Sequence, residues 1–395
     1  MPSRQQGRYS VVFVAIMMMA TFLFLFSRLQ HHFDGSVAEV SGSQLAIAKG
    51  IDKRQTIEVY RQKSEIRPPV DARREKRIYT GLHVENIYNL SLKERVFMAE
   101  GWYWLKWTDT VNAILNENQI PHERIIEFTN KVEASSMVVQ ADQPSPERLD
   151  SGYYWQLFRF SGKFYIENLE LRGFPFDVLQ LPFVLELQPD VLSCYPENRY
   201  GCISLVLDND ARGSVLGQYA GLNGYEIIGT EKKEFLHEYS SSFGKSNLSA
   251  FASVRQNVLY RTNFSAAFWA HIFPLLVLVT ILIIAPSLPG SLDDVRLAIP
   301  TTILLTLIFL QIGYKADLPA LAYVSYLDWL YIYAYIVSAS LFVLFCWGTN
   351  AHAAACAQGH EESVLRRINR VDLIVQAVAV VGLVLMLVCG LWFQA

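Results

Sequence analysis

Four apolar runs close the chain, and each is close to the length that a helix needs to cross a bilayer. A hydrocarbon core about 30 Å thick takes roughly 20 apolar residues per helix. Residues 266–288, 297–314, 326–347 and 371–393 meet or approach that length. A fifth run, 10–28 (SVVFVAIMMMATFLFLFSR), lies near the N-terminus. It has two readings. Arg4 and Arg8 precede it, as in a signal peptide, yet the run is long and no A-x-A-like cleavage site follows it. A retained N-terminal helix is the preferred reading. The loop 348–370 carries Arg366, Arg367 and Arg370. The positive-inside rule therefore places it in the cytoplasm. The four C-terminal helices then alternate in direction, and residues 29–260 are exported.

The exported part has a different character. Residues 30–78 are polar, with RPPVDARREKR at 67–77, and read as a linker with room for one strand. From 79 to 262, short β-rich runs alternate with turn signals: LHVENIYNL, GWYWLKW, YYWQLFRF, FYIENLEL, FVLEL, CISLVLD, YEIIGTE and FASVRQNVLY. That spacing predicts an antiparallel β-sandwich. The expected fold class is thus a β + α membrane protein: an extracellular or periplasmic antiparallel sandwich, then a four-helix transmembrane bundle, with an additional N-terminal hydrophobic helix. The expected boundaries are 1–29 for the anchor or signal segment, 30–78 for the linker, 79–262 for the sandwich and 263–395 for the bundle.

Several function classes find no support. The net charge of −3 gives no basic excess for nucleic acid. Walker, H-E-x-x-H and G-x-S-x-G motifs are absent, so an enzyme is not expected, nor are cofactors. The eight histidines are scattered and predict no metal site. His271, near Pro274 in an apolar run, reads as a packing or interhelical hydrogen-bonding residue. Of the five cysteines, only Cys194 and Cys202 share the exported part. They are eight apart, with Pro196 and Gly201 between them, and an oxidising compartment favours a bridge.

Three motifs in order give a resemblance. Phe174-Pro175-Phe176-Asp177 resembles the F-P-F-D of the signature loop of pentameric ligand-gated ion channels, the Cys-loop receptor superfamily. Trp107-Thr108-Asp109 is similar to the W-x-D on that family's second strand. Leu318-Pro319, with Tyr323 and Asp328 at matching spacing, resembles the segment joining its pore helix to its third bundle helix. Pro274 and Arg261 also fit. The resemblance covers about residues 79–395. The two cysteines that flank F-P-F-D in animal receptors would fall near Glu167 and Leu181, so that disulfide is absent. Bacterial members lack it too, so the resemblance is to the prokaryotic type.

The resemblance makes 297–314 the pore helix and implies a homopentamer. Helical spacing from Asp294 gives a stripe of Ala298, Thr302 (or Thr301), Leu305, Phe309 and Ile312. It runs from acidic, through small and hydroxylated, to large and apolar. Five copies would make stacked rings, charged ones to select ions and apolar ones to gate by dewetting. Leu305 matches the family's central leucine ring and Asp294 its inner acidic ring. Inorganic cations are therefore the expected permeant ions. Arg296, about 200° round the helix from Asp294, is expected to point behind the pore. Pro300 falls inside the helix and predicts a kink or local unwinding.

The resemblance also places Asp177, Arg261, Pro319 and the loop Ser91–Arg95, with Glu94, where sandwich meets bundle. It puts a small-molecule ligand between subunits, behind a hairpin at 236–249 with Tyr239 and Phe243, and opposite Trp102. Strand alternation puts Trp104 on the same face as Trp102. Aromatic walls can hold an ammonium, but Gln188 stands where animal receptors carry a further tryptophan. Protons are an equally open gating stimulus. The location implied is a cell membrane, a bacterial inner membrane by the prokaryotic resemblance, with lipid as a partner. A non-conducting membrane sensor that keeps the channel fold is the competing reading.

Overall fold

The computed structural model describes residues 65–67, 73–133, 137–194, 198–208, 216–241, 244, 250–358 and 361–392. The run 10–28 and most of 30–78 lie outside these. The chain divides into two compact units. One is drawn from 65–169 and 178–261, the other from 170–177 and 262–392.

The first unit is a pair of β-sheets. One sheet runs β1 (Glu65–Arg67), β12 (Tyr225–Glu238), β13 (Ala250–Thr262), β9 (Val178–Leu187) and β4 (Ile126–Phe128). The other is built on β2 (Arg77–Ser91), β3 (Val96–Trp107) and β8 (Tyr154–Tyr165). Alternation decides which side chains face the core. In β3, Tyr103, Leu105 and Trp107 point inward, while Trp102, Trp104 and Lys106 lie on the opposite face. Phe97 of β3 meets Phe183 of β9 edge-on at 5.4 Å, so the sheets pack face to face through aromatic rings.

The pairing is not wholly antiparallel. β10 (Ser204–Leu207) and β11 (Leu216–Tyr219) run parallel to β2. FYIENLEL does not form a strand of its own; its first two residues end β8 and the rest leaves the sheet. The pattern also hid a helix, α1 (Asp109–Glu117). Its signal was present in the sequence. The Thr108 hydroxyl accepts from the Val111 N–H as an N-cap, and Val111, Ile114 and Leu115 form its buried face.

The second unit contains four helices long and apolar enough to span a membrane: α2 (Phe264–Ser287), α3 (Asp293–Lys315), α4 (Tyr326–Gln358) and α5 (Glu361–Trp392). The helices outrun the apolar segments. The expected loop 348–370 is mostly helix, because hydropathy marks the span and not the helix end. Pro300 does not unwind α3, which continues through it. Nearby hydroxyls supply carbonyl partners. Thr301 donates to the Leu297 and Ala298 oxygens at 3.1 and 2.9 Å, and Ser338 of α4 donates to the Pro300 oxygen at 2.8 Å. In α2, by contrast, the turn before Pro274 widens into a π-helix over Phe268–Ile272. A proline lacks the N–H that an α-turn would use.

Candidate functional site

The α3 helix has two faces. Arg296, Pro300, Ile303, Leu307 and Tyr314 are buried against the other helices. The opposite stripe, Asp294, Ala298, Thr302, Leu305, Phe309 and Ile312, is exposed throughout. Leu305, Phe309 and Ile312 stand 55%, 64% and 61% open, whereas Arg296 is 2% open. Steps of three and four residues keep the six on one side of a helix. The exposed face of α5 is different. It presents Leu373, Ile374, Val378, Val381 and Leu385, all apolar, as a lipid-facing surface requires. The exposed face of α3 also carries a carboxylate and two threonine hydroxyls.

The C-terminal end of α3 is tied to α4 through one carboxylate. Asp328 accepts hydrogen bonds from the Tyr314 hydroxyl, from Lys315 Nζ at 2.9 Å and from Gln311 at 3.4 Å. Its other oxygen accepts from the Ser325 N–H and hydroxyl at 3.2 and 3.0 Å, and the Asp328 N–H donates back to Ser325 Oγ at 3.2 Å. Ser325-x-x-Asp328 is therefore a capping box. Pro319 lies in the connection between these two helices.

The remaining free N–H groups of the α4 terminus are met by the F-P-F-D loop. Tyr326 N–H donates to the Arg172 oxygen at 2.8 Å, and Leu327 N–H to the Phe174 oxygen at 3.2 Å. Tyr323 adds to the contact with the loop: its hydroxyl accepts from the Leu171 N–H at 2.8 Å, and its ring lies under the Arg172 guanidinium. Phe174 packs on His271 at 5.1 Å, and Phe176 stacks on Phe264 at 5.2 Å. The Phe174–Pro175 peptide bond is cis. Residues 170–177 connect β8 to β9 in sequence yet belong to the helical unit.

Asp177 ends that loop. One carboxylate oxygen accepts from the Gly173 N–H at 2.9 Å. The other is buried without a hydrogen-bond partner among the described residues. Burial pushes the carboxyl up to about 7, the Gly173 N–H opposes the rise, and the charge of Glu170 adds to it. Arg261 and Glu94, also expected at the coupling region, fall in the β unit. Arg261 pairs with Glu226 at 3.3 Å. Glu94 faces Lys163 at 3.8 Å, and its N–H donates to Ser91 Oγ.

The aromatic residues expected at a ligand site are divided between the two sheets. Trp104 is committed to structure. It lies over Gly81, where any Cβ would collide with its ring, and its Nε1–H donates to Asp208 at 2.9 Å, beside Lys106. Trp102 lies 6.0 Å from His83, with the Arg159 guanidinium 5.8 Å over its ring. A cation already occupies that face. Tyr239, on the other sheet, donates to Glu186 at 2.6 Å. Glu186 is buried and also accepts from Ser253 at 2.7 Å, with His237 Nδ1 at 2.6 Å. Gln188 donates its N–H to the Ile125 oxygen. Phe243 lies outside the described residues. A disulfide joins Cys194 and Cys202.

Two groups escaped sequence reasoning although both left a signal. Asp372 is a lone acid within an apolar run, which marks it as a residue with a partner. Ser325-x-x-Asp328 precedes an apolar helix, as a capping box does.

The fold and these sites define a class, a membrane protein with four candidate spans among the described residues and a β-sheet domain ahead of them in sequence. No model of a known protein family matches the sequence, and no curated protein matches it.

Proposed function

We propose that the chain is one subunit of a homopentameric ligand-gated cation channel, with α3 lining the pore. The observation that carries this reading is the unpacked stripe of α3. It places an acid at one end, hydroxyls beyond it and large apolar groups further on, along a face of α3 that the bundle leaves open. A single chain has no use for such a face, and a head-to-tail ring closes it around an ion path. Leu305 and Phe309 form the resting gate by dewetting, and Asp294 forms the acidic ring. The β-sheet domain faces the periplasm or exterior of a cell membrane and takes the ligand.

The loop 170–177 is the transmission element of this reading. It caps α4 with two carbonyls, and α4 is bonded to α3 through Asp328. A shift of the loop must either break those bonds or carry the pore helix with it.

Planar-bilayer recording, under a salt gradient, of purified protein carrying the gate-wetting Leu305→Ser change tests the proposal. Cation-selective unitary currents are expected, with Asp294→Ala losing selectivity or conductance. A folded, assembled protein that passes no current would sink it.

A further inference from the structure

One charge in the helical unit has no part in the pore as drawn above. Arg296 sits two residues from Asp294, at the same end of α3. A guanidinium there, free to face the ion path, would offset each Asp294 carboxylate one for one. The structure turns it the other way. Its Nη2 donates to Asp372 Oδ2 of α5 at 2.6 Å, and both side chains are 3% exposed. The guanidinium lies 4.3 Å from the Phe345 ring centroid of α4. Gly290 backs it closely enough that a Cβ there would approach the guanidinium to 3.4 Å. The seat is therefore assembled from α4, α5 and the turn before α3.

The pair is a poor staple. Among the described residues Arg296 Nε and Asp372 Oδ1 have no hydrogen-bond partners, so one hydrogen bond and a ring face are what hold these two buried charges there. Desolvation offsets much of such a pair's attraction, and apolar replacements of similar volume are often as stable. Packing of α5 has another polar anchor one turn on, where Gln376 donates to the Ile283 oxygen at 2.8 Å and to Ser287 Oγ at 2.9 Å. The distinctive effect of Asp372 is on where a positive charge resides.

We propose that Asp372 is a positioning residue for ion selectivity: from outside the pore it holds Arg296 off the ion path, so that Asp294 alone sets the sign of the mouth. This rests on the channel reading. Removing the Asp372 charge leaves a buried guanidinium unpaired, which is strongly unfavourable. A long arginine side chain near a helix end relieves this by swinging to water, and the water at this depth lies at the mouth.

The test combines reversal potentials with chemical accessibility. Wild type, Asp372→Asn, Asp372→Glu and the double variant Arg296→Gln/Asp372→Asn, each also carrying Leu305→Ser to wet the gate, are recorded in planar bilayers under a potassium chloride gradient. Wild type, Asp372→Glu and the double variant should follow the cation equilibrium potential. Asp372→Asn should lose cation preference by about tenfold, the scale expected for a unit charge brought beside a partly hydrated ion path. In parallel, the protein in detergent is treated with phenylglyoxal and mapped by mass spectrometry. Arg296 should be protected in wild type and modified in Asp372→Asn. Modification of Arg296 in intact wild type would overturn the inference even if no variant assembles. A cation-selective wild type whose selectivity ignores Asp372→Asn would overturn this inference alone. An assembled but silent wild type would remove it together with the channel reading.

Discussion

Replacing Asp328 by alanine probes the joint between α3 and α4. Three separate losses follow from the geometry. The capping box on Ser325 disappears, at a cost of about 1 kcal/mol. The Tyr314 hydroxyl, in a buried residue, loses the carboxylate that accepts from it, at about 1–3 kcal/mol. Lys315 is half-exposed, so its pair contributes at most about 1 kcal/mol. The expected destabilisation is about 3–4 kcal/mol, less than a plain sum because the three share one carboxylate. Thermal melting of the detergent-solubilised protein, followed by helical circular dichroism, reads it out. Asp328→Asn keeps an acceptor oxygen and should lose about half as much. Tyr314→Phe combined with Asp328→Ala should cost little more than Asp328→Ala alone. An unchanged melting temperature in Asp328→Ala, or strict additivity in the double variant, would refute the shared-hub account.

Four further outcomes are expected. Leu305→Ser should raise resting conductance or agonist sensitivity by wetting the constriction, and single-channel recording that shows neither would misplace the stripe. Asp177 makes stability depend on pH. Its folded carboxyl titrates at about 7, above the unfolded value, so the folded protein holds an extra proton between about pH 4 and 7. Stability from this group is full below about pH 4 and declines by a few kcal/mol as pH rises through 7, and Asp177→Asn should flatten that part of a melting-temperature profile. Glu186→Ala strands the donors on Tyr239 and Ser253 and should lower stability by about 3 kcal/mol or more, whereas Glu186→Gln should lose less, on the same melting assay. Alkylation of the unreduced, folded protein should spare Cys194 and Cys202, and the bridge should contribute roughly 2–3 kcal/mol, read as the melting shift on reduction.

The spans were legible because bilayer thickness fixes their length, and the core strands because alternation is a strong local signal. Alternation separates Tyr103, Leu105 and Trp107 from Trp102 and Trp104, but which set faces the core is set by the opposite sheet. The parallel pairing of β10 and β11 with β2 was not legible, since pairing partners distant in sequence leave no mark on local pattern. Pro300 misled for a related reason. Its local cost is real, but α3 continues through it, and the hydroxyls that bond carbonyls of this stretch include Ser338 from another helix. Trp102 and Trp104 show a third limit. Alternation gave their shared face, while the Arg159 cation on one and the Asp208 bond on the other depend on tertiary neighbours.

The F-P-F-D loop shows why a motif can be easier to find than to explain. Read as sequence, 170–177 is a turn between two strands, and its residues would be judged by turn chemistry. In the structure its carbonyls serve as the cap of a helix that begins about 150 residues later, because Tyr326 and Leu327 bring N–H groups with no partner in their own helix. Ser325 and Asp328 satisfy only their own end of that terminus, so a second source of acceptors is required. The loop fills that need through backbone atoms, which any residue supplies. Its side chains are then free for other work: Phe174 against His271, Phe176 against Phe264, and the Asp177 carboxylate closing back on Gly173. A substitution in the loop that spares the backbone should leave the α4 cap intact, whereas a change in loop length must uncap it. Deleting one residue between Arg172 and Phe174 should therefore lower the melting temperature of the full protein more than Phe174→Ala does, and the reverse order would mean that ring packing, not capping, holds the loop.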